Sequence, residues 1–324
     1  LIVRSIVTKG MRRRFNGIES DILVNKLSQD ETVIDEIAAK DKGIANQCRY
    51  ISHTARYPVY KNTDVEYYAE ADISFAAQIE ELKKAEHFIF MEYHAIEDAL
   101  SFERLKKVLI EKAQSGVEVR IFYDDLGSIF FLNKEFIKRM REQGIQCRVF
   151  NPLKVVVNMF MNNRDHRKIT VIDGRVGFTG GYNLADEYFN ITHPYGYWKD
   201  TGIKLTGDAV RSLTASFLTM WNAIDHTDSQ ADYDKYLDAA DNTYKAVDSE
   251  CYVQPYSDNP LGQDRIGEDV YLNILKNAKD YVYITTPYLI ITDEMERELR
   301  LAVKRGVDVR IVTPGIPDKK MVYK

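Results

Sequence analysis

The chain lacks a long apolar run, a cysteine framework and an excess of positive charge. None of its 324 residues lie in a stretch of about 18 apolar residues, so no segment reads as a transmembrane helix. Its three cysteines are scattered and lack CxxC spacing, which excludes a disulfide scaffold and argues against a cysteine-based metal site. The net charge of -5 provides no global basic field for nucleic acid. An anionic substrate would therefore have to meet a local cluster of cations.

The overall composition is that of a globular protein. Within the chain, one segment is repeated. Residues 79–123 and 272–313 both run helix, apolar strand, acidic loop and helix, and both close on a Gly-Val-acidic-Val-Arg-Ile segment. Each copy predicts a βαβ unit, because strand-length apolar runs flank a segment of helical period. The repeated closing segment favours duplication over chance similarity.

The region between the copies supplies further strands and helices. A helix over 133–143 precedes a strand at 146–150, and the strand segments ITVI and RVGF are joined by a hairpin signal, Asp173-Gly174. Another strand is predicted at 200–206 and a long helix at 208–224. The pattern predicts an α/β fold with two pseudo-repeated lobes of mixed β-sheet flanked by helices, the second lobe incomplete.

This organisation predicts four regions. They are a membrane-proximal N-terminal segment (1–60), a first lobe (61–225), an acidic linker (226–250) and the start of a second lobe (251–324). The apolar start is followed by Lys9 and Arg12–Arg14, a basic flank typical of the cytoplasmic side of a membrane helix, although an amphipathic surface helix fits equally well. Residues 307–313 predict a buried strand with no covering helix after it, so we expect a cut chain.

The segment from His166 to Asn183 carries the chemistry. His166 and Lys168 are two apart on a predicted extended segment, so both side chains leave the same face. An imidazole can attack phosphorus or donate a proton near neutral pH, and an ammonium stabilises charge on phosphate oxygens. Gly180 and Gly181 permit close approach of the backbone to a ligand, and Asn183 adds an amide donor.

Each of these pieces alone is common in ordinary strands and turns, but the joint spacing HxKx4Dx6GGxN is not. The segment resembles the phosphodiesterase motif of the phospholipase D superfamily. Six further segments resemble bacterial cardiolipin synthases: YDDLGS at 123–128, NNRDHRK at 162–168, GFTGGYNLADEY at 177–188, WKDT at 198–201, YVQPYSDNP at 252–260 and TPGIPDKK at 313–320.

The resemblance implies a shared site made by two such motifs, which works through a covalent phosphohistidine. It implies that His166 is the nucleophile and that Lys168 and Asn183 hold the phosphate oxygens. Asp173 would support the local fold, and Asp200 would place a carboxylate against the histidine. The implied reaction joins two phosphatidylglycerols into cardiolipin and glycerol, and it requires no metal or other cofactor.

The sequence departs from that pattern because only His166, of six histidines, has a lysine two positions later within the full motif. His87 and His94 are interpreted as structural or rim residues. Either the chain is a fragment of a two-motif enzyme, which the begun second repeat favours, or it dimerises to pair two copies of His166. A phospholipase D-type hydrolase of lipid or nucleic acid and a non-catalytic lipid-binding protein remain alternatives.

The expected partners are phosphatidylglycerol and anionic membrane lipid, reached from the cytoplasmic face of a bacterial membrane through N-terminal helices that are missing from this chain. Nucleic acid is not expected, because binding to its backbone depends on many Lys and Arg contacts.

Overall fold

The computed structural model describes residues 6–129, 131–132, 134–152, 164–238, 249–258, 265–316 and 318. The N-terminal helices are α1 (Ile6–Glu19), α2 (Glu31–Lys40) and α3 (Lys42–Tyr50). The first lobe contains β1 (Thr63–Tyr68), α4 (Ala71–Leu82), β2 (Phe88–Tyr93), α5 (Leu100–Gln114), β3 (Glu118–Asp124), α6 (Asp125–Ser128), α7 (Lys134–Glu142), β4 (Gln146–Phe150), β5 (Ile169–Ile172), β6 (Val176–Gly180), β7 (Gly202–Gly207) and α8 (Val210–Ile224). The elements that follow are α9 (Gln230–Leu237), α10 (Ile266–Asn277), β8 (Tyr281–Thr285), α11 (Asp293–Lys304) and β9 (Asp308–Val312).

A seven-stranded mixed sheet forms the centre of the first lobe, with strand order β1-β7-β6-β5-β2-β3-β4. Strands β2, β3 and β4 are parallel, whereas β5 runs antiparallel to β2 and continues into an antiparallel meander with β6 and β7. The predicted α/β class with a mixed sheet is confirmed. The site segment enters at β5, where the parallel and antiparallel halves of the sheet meet.

Helices cover both faces of this sheet, and β2 shows why. All six of its residues are buried, and they alternate between two cores. Phe88 and Phe90 pack with helix α8, while Ile89 and Met91 pack with helices α4 and α5. A strand buried on both faces needs a continuous apolar run rather than an alternating one, and residues 88–91 have that composition; the buried Glu92 is the exception.

The second βαβ unit folds like the first. Strands β8 and β9 are parallel, as β2 and β3 are, and α11 crosses between them as α5 does in the first copy. The expected final strand is present as Asp308–Val312, but it is largely exposed. The expectation that it is buried is therefore wrong for the described residues, because the two-stranded sheet has little packed against it.

Part of the segment expected as a linker packs onto the first lobe. Residues 230–237 form helix α9, which begins with a capping box between Ser229 and Asp232. Its residues Tyr233, Tyr236 and Leu237 are buried in the same core as α8. Residues 239–248 lie outside the described residues.

Helix α1 also joins this core, through the buried side chains of Phe15 and Ile18. Arg14 donates a hydrogen bond to the carbonyl oxygen of Ile224 at the end of α8. Across the described ranges, none of the helices combines the length and the apolar character needed to cross a bilayer.

Candidate functional site

His166 and Lys168 lie in an extended segment that leads into β5. The His166 side chain is exposed, whereas Lys168 is only 5% exposed. The Lys168 Nζ donates a hydrogen bond of 2.6 Å to the carbonyl oxygen of His166. The ammonium is thus fixed beside the backbone that carries the imidazole.

A second imidazole lies against the first. The ring centroids of His94 and His166 are 4.8 Å apart, with the planes inclined by 54°. His94 follows the last residue of β2, and its Nδ1 lies 2.7 Å from the carbonyl oxygen of Asp165. Burial lowers the pKa of His94 below its ordinary value, so the ring is protonated less readily than that of an ordinary histidine.

Asn183 lies in the turn after β6 and contacts the residue that follows His94. Its Oδ1 accepts a hydrogen bond from the backbone N–H of Ala95, and its Nδ2 donates to the hydroxyl of Tyr188. The side chain is only 3% exposed. The amide oxygen therefore holds the loop that begins with His94 after β2, and one amide hydrogen is engaged with Tyr188.

Asp200 packs against the predicted double glycine. A Cβ atom placed on Gly181 would lie 2.1 Å from Oδ1 of Asp200, and one on Gly180 would lie 2.5 Å from the carbonyl oxygen of Thr201. Residues 200–201 can therefore approach the backbone at Gly180 and Gly181 closely, because neither glycine has a side chain. Asp200 also accepts a hydrogen bond from the Thr201 N–H and one of 3.4 Å from the indole of Trp198.

Burial raises the pKa of Asp200, and the charge of Lys168 opposes that effect. Desolvation is the largest of these influences, so the carboxyl group is a weaker acid than an exposed aspartate. The ammonium of Lys168, which is hydrogen-bonded to the backbone of His166, thus also acts electrostatically on Asp200, and such a cation suits a phosphodiester.

Asp173 lies beyond the opposite end of β5 from His166. It begins the hairpin between β5 and β6, where Asp173 and Gly174 both have positive φ. Its carboxylate accepts three backbone hydrogen bonds of 2.8 Å, from Glu86, His87 and Phe88. The structure therefore keeps Asp173 apart from the other motif side chains and ties it to the start of β2.

A group of buried charges lies directly beneath the motif. Arg167 donates to Oδ1 of Asp165, and its guanidinium comes within 2.6 Å of Glu92 Oε1 as an ion pair outside hydrogen-bonding geometry. Both carboxylates are fully buried. Burial raises the pKa of Glu92 well above its usual range, and the opposing effect of Arg167 is smaller. The guanidinium of Arg167, the residue between His166 and Lys168, thus pairs with two carboxylates.

Arg167 also connects the motif to distant parts of the chain. It donates a 3.2 Å hydrogen bond to the hydroxyl of Ser257, which precedes the second repeat. Ser257 is hydrogen-bonded to Tyr57, which follows the N-terminal helices, and Tyr57 to Ser216 in α8. The motif, the N-terminal segment and the approach to the second lobe share one hydrogen-bond network.

Aromatic side chains border the cluster. Tyr188 and Trp198 have ring centroids 4.7 Å apart, and Tyr195 lies 5.9 Å from Trp198. Gly196 lies in the loop that carries Tyr195 and Trp198. Ile316, which follows β9, approaches this glycine: a Cβ atom placed on Gly196 would lie 3.1 Å from Cδ1 of Ile316. The chain end described by the structure thus reaches the rim of this site.

His94 and Glu92 are the site residues that sequence reasoning missed. Their position in the sequence could have indicated them. Ligands bind beyond the carboxyl ends of parallel strands, and both residues lie at that end of β2. Within the described ranges, no group of three or more His, Cys, Asp and Glu side chains is arranged to hold a metal ion.

Comparison with known proteins identifies relatives of this chain. A family model described as "Cardiolipin synthase, PLD-like domain" matches residues 78–221 and 271–324. An uncharacterized protein of Streptococcus mutans serotype c is 43% identical over 91% of this chain and 62% of its own length. A cardiolipin synthase of Oceanobacillus iheyensis is 34% identical over 81% of this chain and 53% of its own length.

The solved structure of phosphatidylserine synthase from Haemophilus influenzae Rd KW20 has the same fold. It matches with a TM-score of 0.55 and 13% identity, over 82% of this chain and 65% of that chain. This chain spans between half and two thirds of the length of the curated relatives named above. Because the family model covers well over half of it, the chain belongs to the cardiolipin synthase family with a phospholipase D-like domain.

Proposed function

We propose that the protein to which this chain belongs is a cardiolipin synthase that transfers a phosphatidyl group between two phosphatidylglycerol molecules through a phosphohistidine at His166. The observation that carries the proposal is the exposed imidazole of His166 beside the buried ammonium of Lys168. The family match and the cardiolipin synthases among the relatives supply the substrate class.

In the first step, a nitrogen of His166 attacks the phosphorus of one phosphatidylglycerol and forms a P–N bond. The P–O bond to the headgroup glycerol breaks, and glycerol leaves with a proton from the second histidine that the resemblance implies; the same histidine then takes the proton of the acceptor hydroxyl in the next step. Lys168 stabilises the negative charge that develops on the phosphate oxygens. Asn183, whose amide oxygen holds the residue after His94, would add an amide donor for the same oxygens.

In the second step, the headgroup hydroxyl of another phosphatidylglycerol loses its proton and attacks the same phosphorus. The P–N bond breaks, His166 is regenerated and cardiolipin is released. Asp200 orients and stabilises the imidazole through its carboxylate, as the triad carboxylate does in serine hydrolases. The role of Asp173 in this proposal is structural, because its three backbone hydrogen bonds lie at the far end of β5.

The same proposal includes an anionic membrane surface as the place of reaction, on the cytoplasmic side of a bacterial membrane. The basic residues Arg12–Arg14 support it, since lipid headgroups there are anionic. We also propose that residues 61–225 and 251–324 are the first lobe and the start of a second, which the repeated βαβ units support.

The experiment uses the full-length gene product in vesicles that contain phosphatidylglycerol with a 32P-labelled phosphate. We expect labelled cardiolipin from the wild type, and at least ~10³-fold less from His166→Ala, because the covalent route is lost. His193→Ala, an exposed histidine outside the motif, is the matched control and retains activity. Rapid quenching at alkaline pH should trap label on wild-type protein, since phosphohistidine is stable to base.

Other outcomes would overturn the proposal in defined ways. Phosphatidic acid in place of cardiolipin would identify a hydrolase that uses water as the acceptor. Binding of vesicles without any lipid product would identify a lipid-binding protein. Full activity of His166→Ala would remove His166 from the mechanism.

A further inference from the structure

The ring of His94 is held from three directions. Its Nδ1 lies 2.7 Å from the Asp165 carbonyl oxygen, and one face lies against the ring of His166. On the third side is Gly127 in α6, where an added Cβ atom would lie 2.8 Å from Cδ2 and Nε2 of His94. A side chain at position 127 would therefore collide with the imidazole.

The segment that carries Gly127 is itself fixed. Asp124 accepts hydrogen bonds from the N–H groups of Leu126 and Asp165. The first bond caps α6, and the second holds the segment before His166. Ser128 accepts a hydrogen bond from the N–H of Ile96, two residues after His94. The segment YDDLGS thus forms a support under both histidines, a role that the proposed reaction leaves unassigned.

We propose that His94 is a positioning residue for His166. The inference rests on the proposed function, because it concerns the geometry of the same nucleophile. A carbonyl oxygen only accepts hydrogen bonds, so Nδ1 of His94 carries the proton and the tautomer of the neutral ring is set. Asp124, Asp165, Lys168 and His166 are the charged or titratable groups that face this ring.

The supported ring of His94 lies against the exposed imidazole of His166 and so restricts its orientation. An attacking nitrogen must point at phosphorus within a narrow range, and a misplacement of about 1 Å reduces turnover by up to ~10²-fold. His94 acts on His166 and not on the lipid. Its loss should therefore lower kcat and leave KM unchanged.

Two variants separate the two contacts of His94. His94→Asn keeps an N–H donor for the Asp165 carbonyl but removes the ring, whereas His94→Phe keeps a ring but removes the donor. His87→Asn is the matched control, because His87 precedes the same strand at its opposite end and its side chain is exposed. We expect kcat for cardiolipin formation to fall ~10- to 100-fold in both His94 variants, with KM within twofold. The control should match the wild type.

An independent readout uses 15N-labelled imidazoles of the purified chain. In the wild type the His94 nitrogens should show the neutral form protonated at Nδ1, and both His94 variants should shift the imidazole resonances of His166, unlike His87→Asn. Variants with a lowered melting temperature are assayed below their unfolding transition.

The failures are distinguishable. If His166→Ala is fully active, the proposed function fails. If His166→Ala is inactive but both His94 variants keep wild-type kcat and leave the His166 resonances unmoved, the positioning role fails alone. A rise in KM with unchanged kcat would also overturn it, since His94 would then be a group that binds substrate.

Discussion

The two βαβ units close on almost the same sequence but have different surroundings. In the first, Arg120 is nearly buried and its guanidinium donates to Glu118, Asp228 and the hydroxyl of Tyr236. In the second, the corresponding Arg310 is exposed and pairs with Asp308 on its own strand. The local sequence determines a strand in both places, whereas the neighbours decide whether its arginine becomes part of a buried network.

The largest expected effect tests that difference directly. Arg120→Ala should lower the free energy of unfolding by about 3–5 kcal/mol, because it leaves Asp228 buried without its cation. Arg310→Ala should leave the urea midpoint unchanged, since that arginine is solvated. Urea unfolding followed by circular dichroism measures both. Equal shifts in the two variants would mean that the network around Arg120 does not stabilise the first lobe.

A smaller effect is expected at the start of β2, whose amides are held by Asp173. Asp173→Ala should lower the free energy of unfolding by about 2–3 kcal/mol, because it leaves N–H groups without an acceptor. Asp173→Asn is the graded control: its remaining oxygen can accept from His87 and Phe88, so about half of that loss is expected. Hydrogen exchange at the Phe88 amide should accelerate in the alanine variant. Unchanged exchange would contradict this structural role.

The smallest effect concerns His94, which has Pro287 as its counterpart in the second unit. Burial lowers the pKa of His94 below the value in the unfolded chain, so the unfolded state binds more protons as the pH falls below about 6.5. Stability should therefore decrease from pH 7.5 to 5.5 more steeply in the wild type than in His94→Asn. Urea unfolding at three pH values measures this difference, and His87→Asn should follow the wild type. Parallel curves for all three proteins would show that His94 titrates normally.

Much of the secondary structure could be predicted from the sequence. The strand at 146–150 occurs as Gln146–Phe150, and the helix at 208–224 as Val210–Ile224. The strand is an apolar run and the helix shows helical periodicity, and each is bounded by turn residues. The sequence of the segment itself is therefore sufficient to predict it. The exposure of β9 could not be predicted in this way. Whether a strand is buried depends on what packs against it and not on its own pattern.

The site was predictable to the extent that its residues are close in sequence. His166 and Lys168 are two residues apart, so their common face follows from backbone geometry. The contact between His94 and His166 depends instead on the antiparallel pairing of β2 with β5, which no local pattern reveals. The same holds for the ion pair between Glu92 and Arg167, whose partners lie on these two neighbouring segments.

The hydrogen bond between Arg167 and Ser257 has a practical consequence for anyone who divides this protein. Regions that are separate in the sequence are joined at the residue between His166 and Lys168, through Ser257 and Tyr57. A fragment that ends after the first lobe would leave this guanidinium with a hydrogen-bond donor unused in a buried position. A fragment for expression or domain exchange should therefore include Tyr57 and Ser257 together with Arg167, and its boundaries should not follow the repeat alone.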